Sequence, residues 1–267
     1  MTRIVCAQLA PQVGRLAENH RQIVRTISEN TTADILVLPE LATSGYVFES
    51  PAEARECAIP SDDPMIAEWA AAIEGDSVVV CGYAERGPDG ALYNSAVLFD
   101  ATGVLARYRK THLWDREKLF FTPGSQPPPV TTTRFGRIAV MVCYDLEFPE
   151  YTRRAALEGA DVIAVPTNWP EVPRPAGERP PEVVIAQAAA RVNRVAIACC
   201  DRSGLERGQQ WTEGTAIVDH DGWVAAVAGE DGLACWETEL SAGRDKNIST
   251  RNHLFGDRRT DLYGPPH

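Results

Sequence analysis

The chain has 267 residues, 44% of them hydrophobic and 24% charged, and 26 Lys and Arg against 37 Asp and Glu give a formal net charge of -11. That length can bury a sizeable core in one domain over 1–267, since no Gly/Ser linker, charge run or internal repeat divides it. The negative balance argues against nucleic acid or an anionic membrane as partner. No run of roughly 18 apolar residues occurs, and the start reads directly as a strand, so a cytoplasmic protein is expected.

In chain order, a strand over 3–9 precedes a helical stretch over 16–30 with Ile23, Val24 and Ile27 on one side. The apolar run Asp34-Ile35-Leu36-Val37-Leu38 then stops at Pro39 and delivers Glu40, after which Leu41 to Tyr46 reads as loop. A helix over 62–74 has Ser61 as its N-cap. Strands over 77–86, 91–100 and 103–109 are joined by Gly87-Pro88-Asp89-Gly90 and Ala101-Thr102-Gly103, which are hairpin signals. The last of them runs into Lys110; taken alone, Arg107, Arg109 and Lys110 read as a solvated basic face. Beyond Cys143 come helix 149–158, strand 161–166, helix 180–193 and strand 195–200, then strands over 214–219, 223–228 and 233–239. The βα units and hairpins suggest a mixed-sheet α/β sandwich with helices outside, among other α/β architectures.

Cys143 ends the apolar run Arg137 to Val142 and opens the turn Tyr144-Asp145-Leu146-Glu147-Phe148 toward a helix. A thiol at a strand-to-helix corner can point into a crevice, with the amides of the turn facing a developing oxyanion. Cysteine is equally at home as a buried hydrophobe, so the case depends on the carboxylate and the lysine delivered by the other two strands. The seven cysteines show no C-x-x-C spacing and the five histidines no H-E-x-x-H, so neither a metal nor another cofactor is expected, and reduced thiols are.

The strings LPELATSGY, YRKTHLW and VMVCYDLEFPE resemble, in order and spacing, the three signature blocks of the nitrilase superfamily of carbon–nitrogen hydrolases. The resemblance runs from Arg3 to Tyr263. It implies a four-layer αββα sandwich, a homodimer or higher homo-oligomer, and a triad of Glu40, Lys110 and Cys143. It also points to Glu117 as a second acidic residue touching the lysine, where the residues alone equally suit a surface carboxylate paired with Arg116 or Lys118.

Cleaving an amide or nitrile by this route needs a thiolate formed in place, a base to form it, and donors for the charge that develops. Glu40 supplies the base, Lys110 and the Tyr144 N–H the donors. Tyr46, Trp114, Asn168 and Trp169 are candidate walls for a small amide or nitrile. The Pro-rich stretch 170–181 is either a lid or an extended connector. Where many family members carry R-A-x-E-N, this chain has Ala189-Ala190-Arg191-Val192-Asn193, so no role transfers there. The short chain and Cys143-Tyr144-Asp145 favour an amidase. A nitrilase, an N-carbamoyl-amine hydrolase and an ω-amidase share the triad, and a binding or scaffold protein on the same fold is the alternative outside enzymes.

Overall fold

The strands that read as continuous apolar runs are buried on both faces, because two sheets stack and each is also covered by helices. The computed structural model describes residues 1–263. One sheet has the order Leu233–Thr238, Thr2–Ala7, Ile35–Val37, Val78–Arg86, Leu92–Asp100, Gly103–Arg109, with Ile59–Pro60 beside Val78–Arg86. The other runs Val224–Val227, Ala216–Val218, Ala196–Cys200, Val162–Pro166, Gly136–Val140, Val130–Thr133. Each has three parallel strands at its centre and antiparallel strands at its flanks.

Side-chain alternation divides the first sheet cleanly. Val5, Leu36, Val79 and Val97 pack with Ile23 and Ile27 of helix α1 (Leu16–Glu29) and with other outer-layer residues, Ile66 and Trp69. Their neighbours Ile4, Ile35, Val80 and Leu98 join the second sheet's Ile138, Ile163 and Ile197 in one cluster. That cluster also takes in Ala155, Val183, Ala186 and Ala190 from the opposite helical layer. The architecture is the four-layer αββα sandwich, with a core layer between the sheets and one under each pair of helices.

Several local expectations need correction. The helix at 62–74 is helix α3, Pro64–Ala71, and its cap is Asp63, whose side chain accepts from the Met65 N–H at 3.0 Å. Ser61 lies outside it, its carbonyl accepting from Arg107. Helix α2 (Pro51–Cys57), capped by Ser50 and started by Pro51, was not expected, nor was the edge strand Val130–Thr133. Helices α4 (Pro149–Leu157) and α5 (Pro181–Asn193) fall where the sequence placed them.

Three parallel strands and one antiparallel edge strand deliver the site. Strand ends at 35–37, 103–109, 136–140 and 162–166 lead into Glu40, Lys110, Cys143 and Asn168 at one rim of the sandwich. Gly82 lets this rim close. A Cβ there would lie 2.6 Å from Glu40 Cα and 2.6 Å from the Pro39 carbonyl oxygen, both backbone atoms that cannot yield. The strand instead holds the turn directly, Gly82 N–H donating to Pro39 O at 3.1 Å and Ala42 N–H to Gly82 O at 2.9 Å.

Candidate active site

Four buried polar side chains form a continuous chain at the rim. Lys110 Nζ, fully buried, donates to Glu40 Oε1 and Glu117 Oε1, each at 2.7 Å. Glu40 Oε1 also accepts from Asn94 Nδ2 at 2.7 Å, and Glu117 Oε1 from the Tyr46 hydroxyl at 2.6 Å. Glu117 Oε2 takes the Trp114 N–H at 3.2 Å, at the start of the 3-10 turn Asp115–Leu119. Glu40 Oε2 is buried and has no hydrogen-bond partner among the described residues, so this oxygen is available to take a proton.

Burial dominates the protonation of the group. It pushes the Glu40 carboxyl up to about 7; Lys110 opposes the rise and Glu117 adds to it. For Lys110 burial alone would lower the ammonium, but Glu117 and Glu40 outweigh it and hold it well above its ordinary value. The Cys143 thiol is held well above its ordinary value by burial and by Glu40, with Lys110 pulling the other way. An ammonium hydrogen-bonded to two carboxyl groups beside a protonated thiol is therefore the resting arrangement.

Cys143 is the first residue of the 3-10 turn Cys143–Glu147 and has φ 48, a left-handed conformation that a non-glycine residue adopts at a cost. Asp145 holds it there. Its buried carboxylate accepts from the Val142 N–H at 3.2 Å, the Tyr108 hydroxyl at 2.9 Å and the His112 N–H at 3.0 Å, with His112 Nδ1 at 2.8 Å. The carboxylate thus ties the Cys143 turn to the segment that carries Lys110. Asn168 closes the other side, its Nδ2 donating to the Glu40 carbonyl at 2.9 Å and its own carbonyl oxygen lying 4.0 Å from Cys143 Sγ.

A pocket of about 140 Å³ opens beside these groups, lined by Glu117, Tyr46 and a set of aromatic side chains. Cys143, only 7% exposed, is not itself a lining residue.

The family model for carbon–nitrogen hydrolases matches residues 3–243. The chain belongs to the carbon–nitrogen hydrolase family. It is 35% identical to a nitrilase of Pyrococcus abyssi over 98% of this chain and 99% of that one, and 33% identical to an (R)-stereoselective amidase of a Pseudomonas species over 98% and 93%. Among solved structures, an amidase from Nesterenkonia sp. superposes with a TM-score of 0.79 at 26% identity, covering 98% of this chain and 94% of the other. A glutamate-to-glutamine variant of the Nesterenkonia sp. AN1 amidase carries acrylamide added at its active-site cysteine, again at a TM-score of 0.79 and 26% identity, with 98% of each chain covered.

Within this hydrolase, the sequence-selected residues separate into three groups. Glu40, Lys110, Cys143, Glu117 and Asn168 converge as described. Tyr46 and Trp114 line the pocket. Trp169 does not: it is buried, its backbone N–H donating to Asp201 Oδ1 at 2.9 Å, and its ring packs under Gly214. Tyr144 does not line the pocket either; its ring meets Trp114 and Phe148 edge-on at 4.9 and 5.1 Å. Glu117 is buried on Lys110 rather than paired with Arg116 or Lys118 at the surface. Of the stretch 170–181, only Pro170 reaches the pocket, and residues 171–179 are exposed. Asn94, Asp145, Phe48 and Trp211 were missed as site residues. Asn94 carried a signal, a polar residue inside the otherwise buried strand Leu92–Asp100. Among the described residues no group of His, Cys, Asp and Glu could hold a metal ion.

Proposed function

We propose that the protein hydrolyses the carbon–nitrogen bond of a small amide to a carboxylate and ammonia, using Cys143 as nucleophile in a single hydrolase domain. The observation that carries this is Glu40. One oxygen is fixed by Lys110 and Asn94, the other is unpartnered, and the carboxyl is tuned to about 7, close to the ideal for a base working near neutral pH. Glu40 takes the Sγ proton as sulfur adds to the carbonyl carbon. The oxyanion is stabilised by the Lys110 ammonium, which has a third N–H beyond its two carboxylate bonds, and by the Tyr144 backbone N–H.

As the adduct collapses, Glu40 gives its proton to the nitrogen, the C–N bond breaks and ammonia leaves a thioester. Water then adds to the thioester while Glu40 takes its proton. On the second collapse the C–S bond breaks and the proton returns to sulfur. Glu117 keeps Lys110 oriented throughout. The Tyr144-Asp145 pair after the cysteine and the amidase relatives support an amide substrate, whereas the P. abyssi relative supports a nitrile. Ammonia release from paired aliphatic amides and nitriles, with N-carbamoyl amines included, decides between them. Higher kcat/KM for amides is the expected result, and a clear preference for nitriles or carbamoyl compounds overturns it.

A cytoplasmic location is part of the same proposal, supported by seven free cysteines. A homodimer or higher homo-oligomer is too, supported by the exposed groove beside helix α4 in which Leu157, Ile248, Leu254 and Tyr263 lie among arginine and acidic side chains.

A further inference from the structure

Six aromatic rings line the pocket beside Glu117, together with Val47 and Pro170, and its polar lining is Asp115, Arg116, Glu117 and Gln209. Phe48 meets Phe120 and Phe121 edge-on at centroid distances of 5.7 and 5.9 Å, Tyr46 meets Trp211 edge-on at 5.4 Å, and Trp114 closes a further side. These walls are fixed in advance. Arg202, fully buried, lies 4.6 Å over the Trp211 ring and pairs with Glu206 at 2.8 Å, and Glu206 Oε2 accepts the N–H groups of Tyr46 and Val47, each at 3.0 Å. One polar tie thus sets both the Tyr46 loop and the Trp211 ring before any ligand arrives.

We infer that this pocket receives the acyl substituent of the amide and selects an uncharged apolar group of about six carbons, such as phenyl or a branched alkyl chain. The inference rests on the amidase reading, because the Tyr46 hydroxyl and Lys110 share Glu117 Oε1 and so place the pocket next to the groups that would attack the carbonyl.

Size and charge both support it. The pocket measures about 140 Å³, and an apolar protein cavity of roughly 150 Å³ is enough to hold a benzene ring. An acyl chain ending in a carboxylate would need a cation to replace its water. The only cationic lining residue is Arg116, which is exposed, points one N–H at the Phe48 carbonyl, and stands between Asp115 and Glu117. That environment does not suit a dicarboxylate monoamide. The preference therefore differs from the substrate named for the 2-oxoglutaramate amidase of Bacillus subtilis, a relative at 29% identity.

The test is kcat/KM, by ammonia release, for acetamide, 2-phenylacetamide, 4-methylpentanamide, 4-carbamoylbutanoate and 4-aminobutanamide. Each buried methylene is worth about fourfold, so the two apolar amides should exceed acetamide by at least ~30-fold, with both charged amides below them. Trp211→Ala and the exposed-site variant Trp114→Ala should each narrow the phenylacetamide-to-acetamide ratio by about tenfold. Acetamide equal to the apolar amides, a charged amide preferred, or an unchanged ratio in both variants overturns the inference while leaving the amidase reading intact. No turnover of any of the five overturns both.

Discussion

Replacing Lys110 by Met keeps the length and apolar stem of the side chain and removes only the ammonium. Two charge-assisted bonds of 2.7 Å disappear, leaving Glu40 with Asn94, and Glu117 with Tyr46 and the Trp114 N–H. Breaking a fully buried ion pair from one side costs about 3–5 kcal/mol, against a total stability of about 5–15 kcal/mol, so the variant should fold with a reduced margin. Burial then acts on Glu40 without the opposing cation, and its carboxyl rises above the value of about 7 it has in the wild type. A carboxyl raised in the folded state favours folding while protonated and loses that contribution as pH climbs through its folded value. The stability penalty of Lys110→Met should therefore be smaller at pH 6 than at pH 8.5 by thermal unfolding. kcat should fall by at least ~100-fold, the usual cost of removing a donor from a developing oxyanion. A penalty independent of pH, or activity within tenfold of wild type, refutes the reasoning.

Glu40→Gln keeps the shape and removes the base, so kcat for ammonia release should drop by at least ~100-fold. The same variant should reduce the decline in melting temperature as pH rises from about 4.5 toward about 7, because Glu40 loses its proton near 4.5 when unfolded but holds it to about 7 when folded, with Asp201 left to contribute to the remaining decline; an unchanged slope would count against that assignment. Asp145→Ala strands the buried Val142 and His112 N–H groups and the Tyr108 hydroxyl, each worth about 1–3 kcal/mol when unsatisfied. It should lower the melting temperature and kcat together, with Asp145→Asn intermediate in both, and an Ala variant as stable as wild type would rule out the clamp.

The layer plan was legible because strands buried on both faces leave an unmistakable signature. Ile35 to Leu38, Ile138 to Val142 and Ile163 to Val165 are unbroken apolar runs, and each ends where chemistry begins. Lys110 and Glu117 were ambiguous because a lysine or glutamate carries no mark of burial in its own sequence neighbourhood. Lys110 is turned inward by Glu40, 70 residues upstream, and Glu117 by Lys110 and by the Tyr46 hydroxyl, 71 positions away. Asp145 and Asn94 were read as ordinary turn and strand residues since their partners lie 37 and 54 positions away. The pocket walls were half visible. Tyr46 and Trp114 lie within signature segments, whereas Trp211 is brought in by the fold through an isolated bridge to Pro170. Trp169 does not line this pocket, and an aromatic residue at a strand's end looks the same in sequence whether it faces a pocket or packs against other side chains. Short elements escaped for a similar reason: helix α2 spans only 7 residues, too few for a periodic pattern to stand out.

The central claim is that Cys143 carries the acyl group between the two half-reactions. Intact-mass measurement after rapid quench with a turned-over amide tests it most directly. Wild-type protein should gain the mass of the acyl group less one hydrogen, located on the peptide containing Cys143, while Cys143→Ala should fold, release no ammonia and gain no mass. An adduct on another residue, or turnover by Cys143→Ala, contradicts the account.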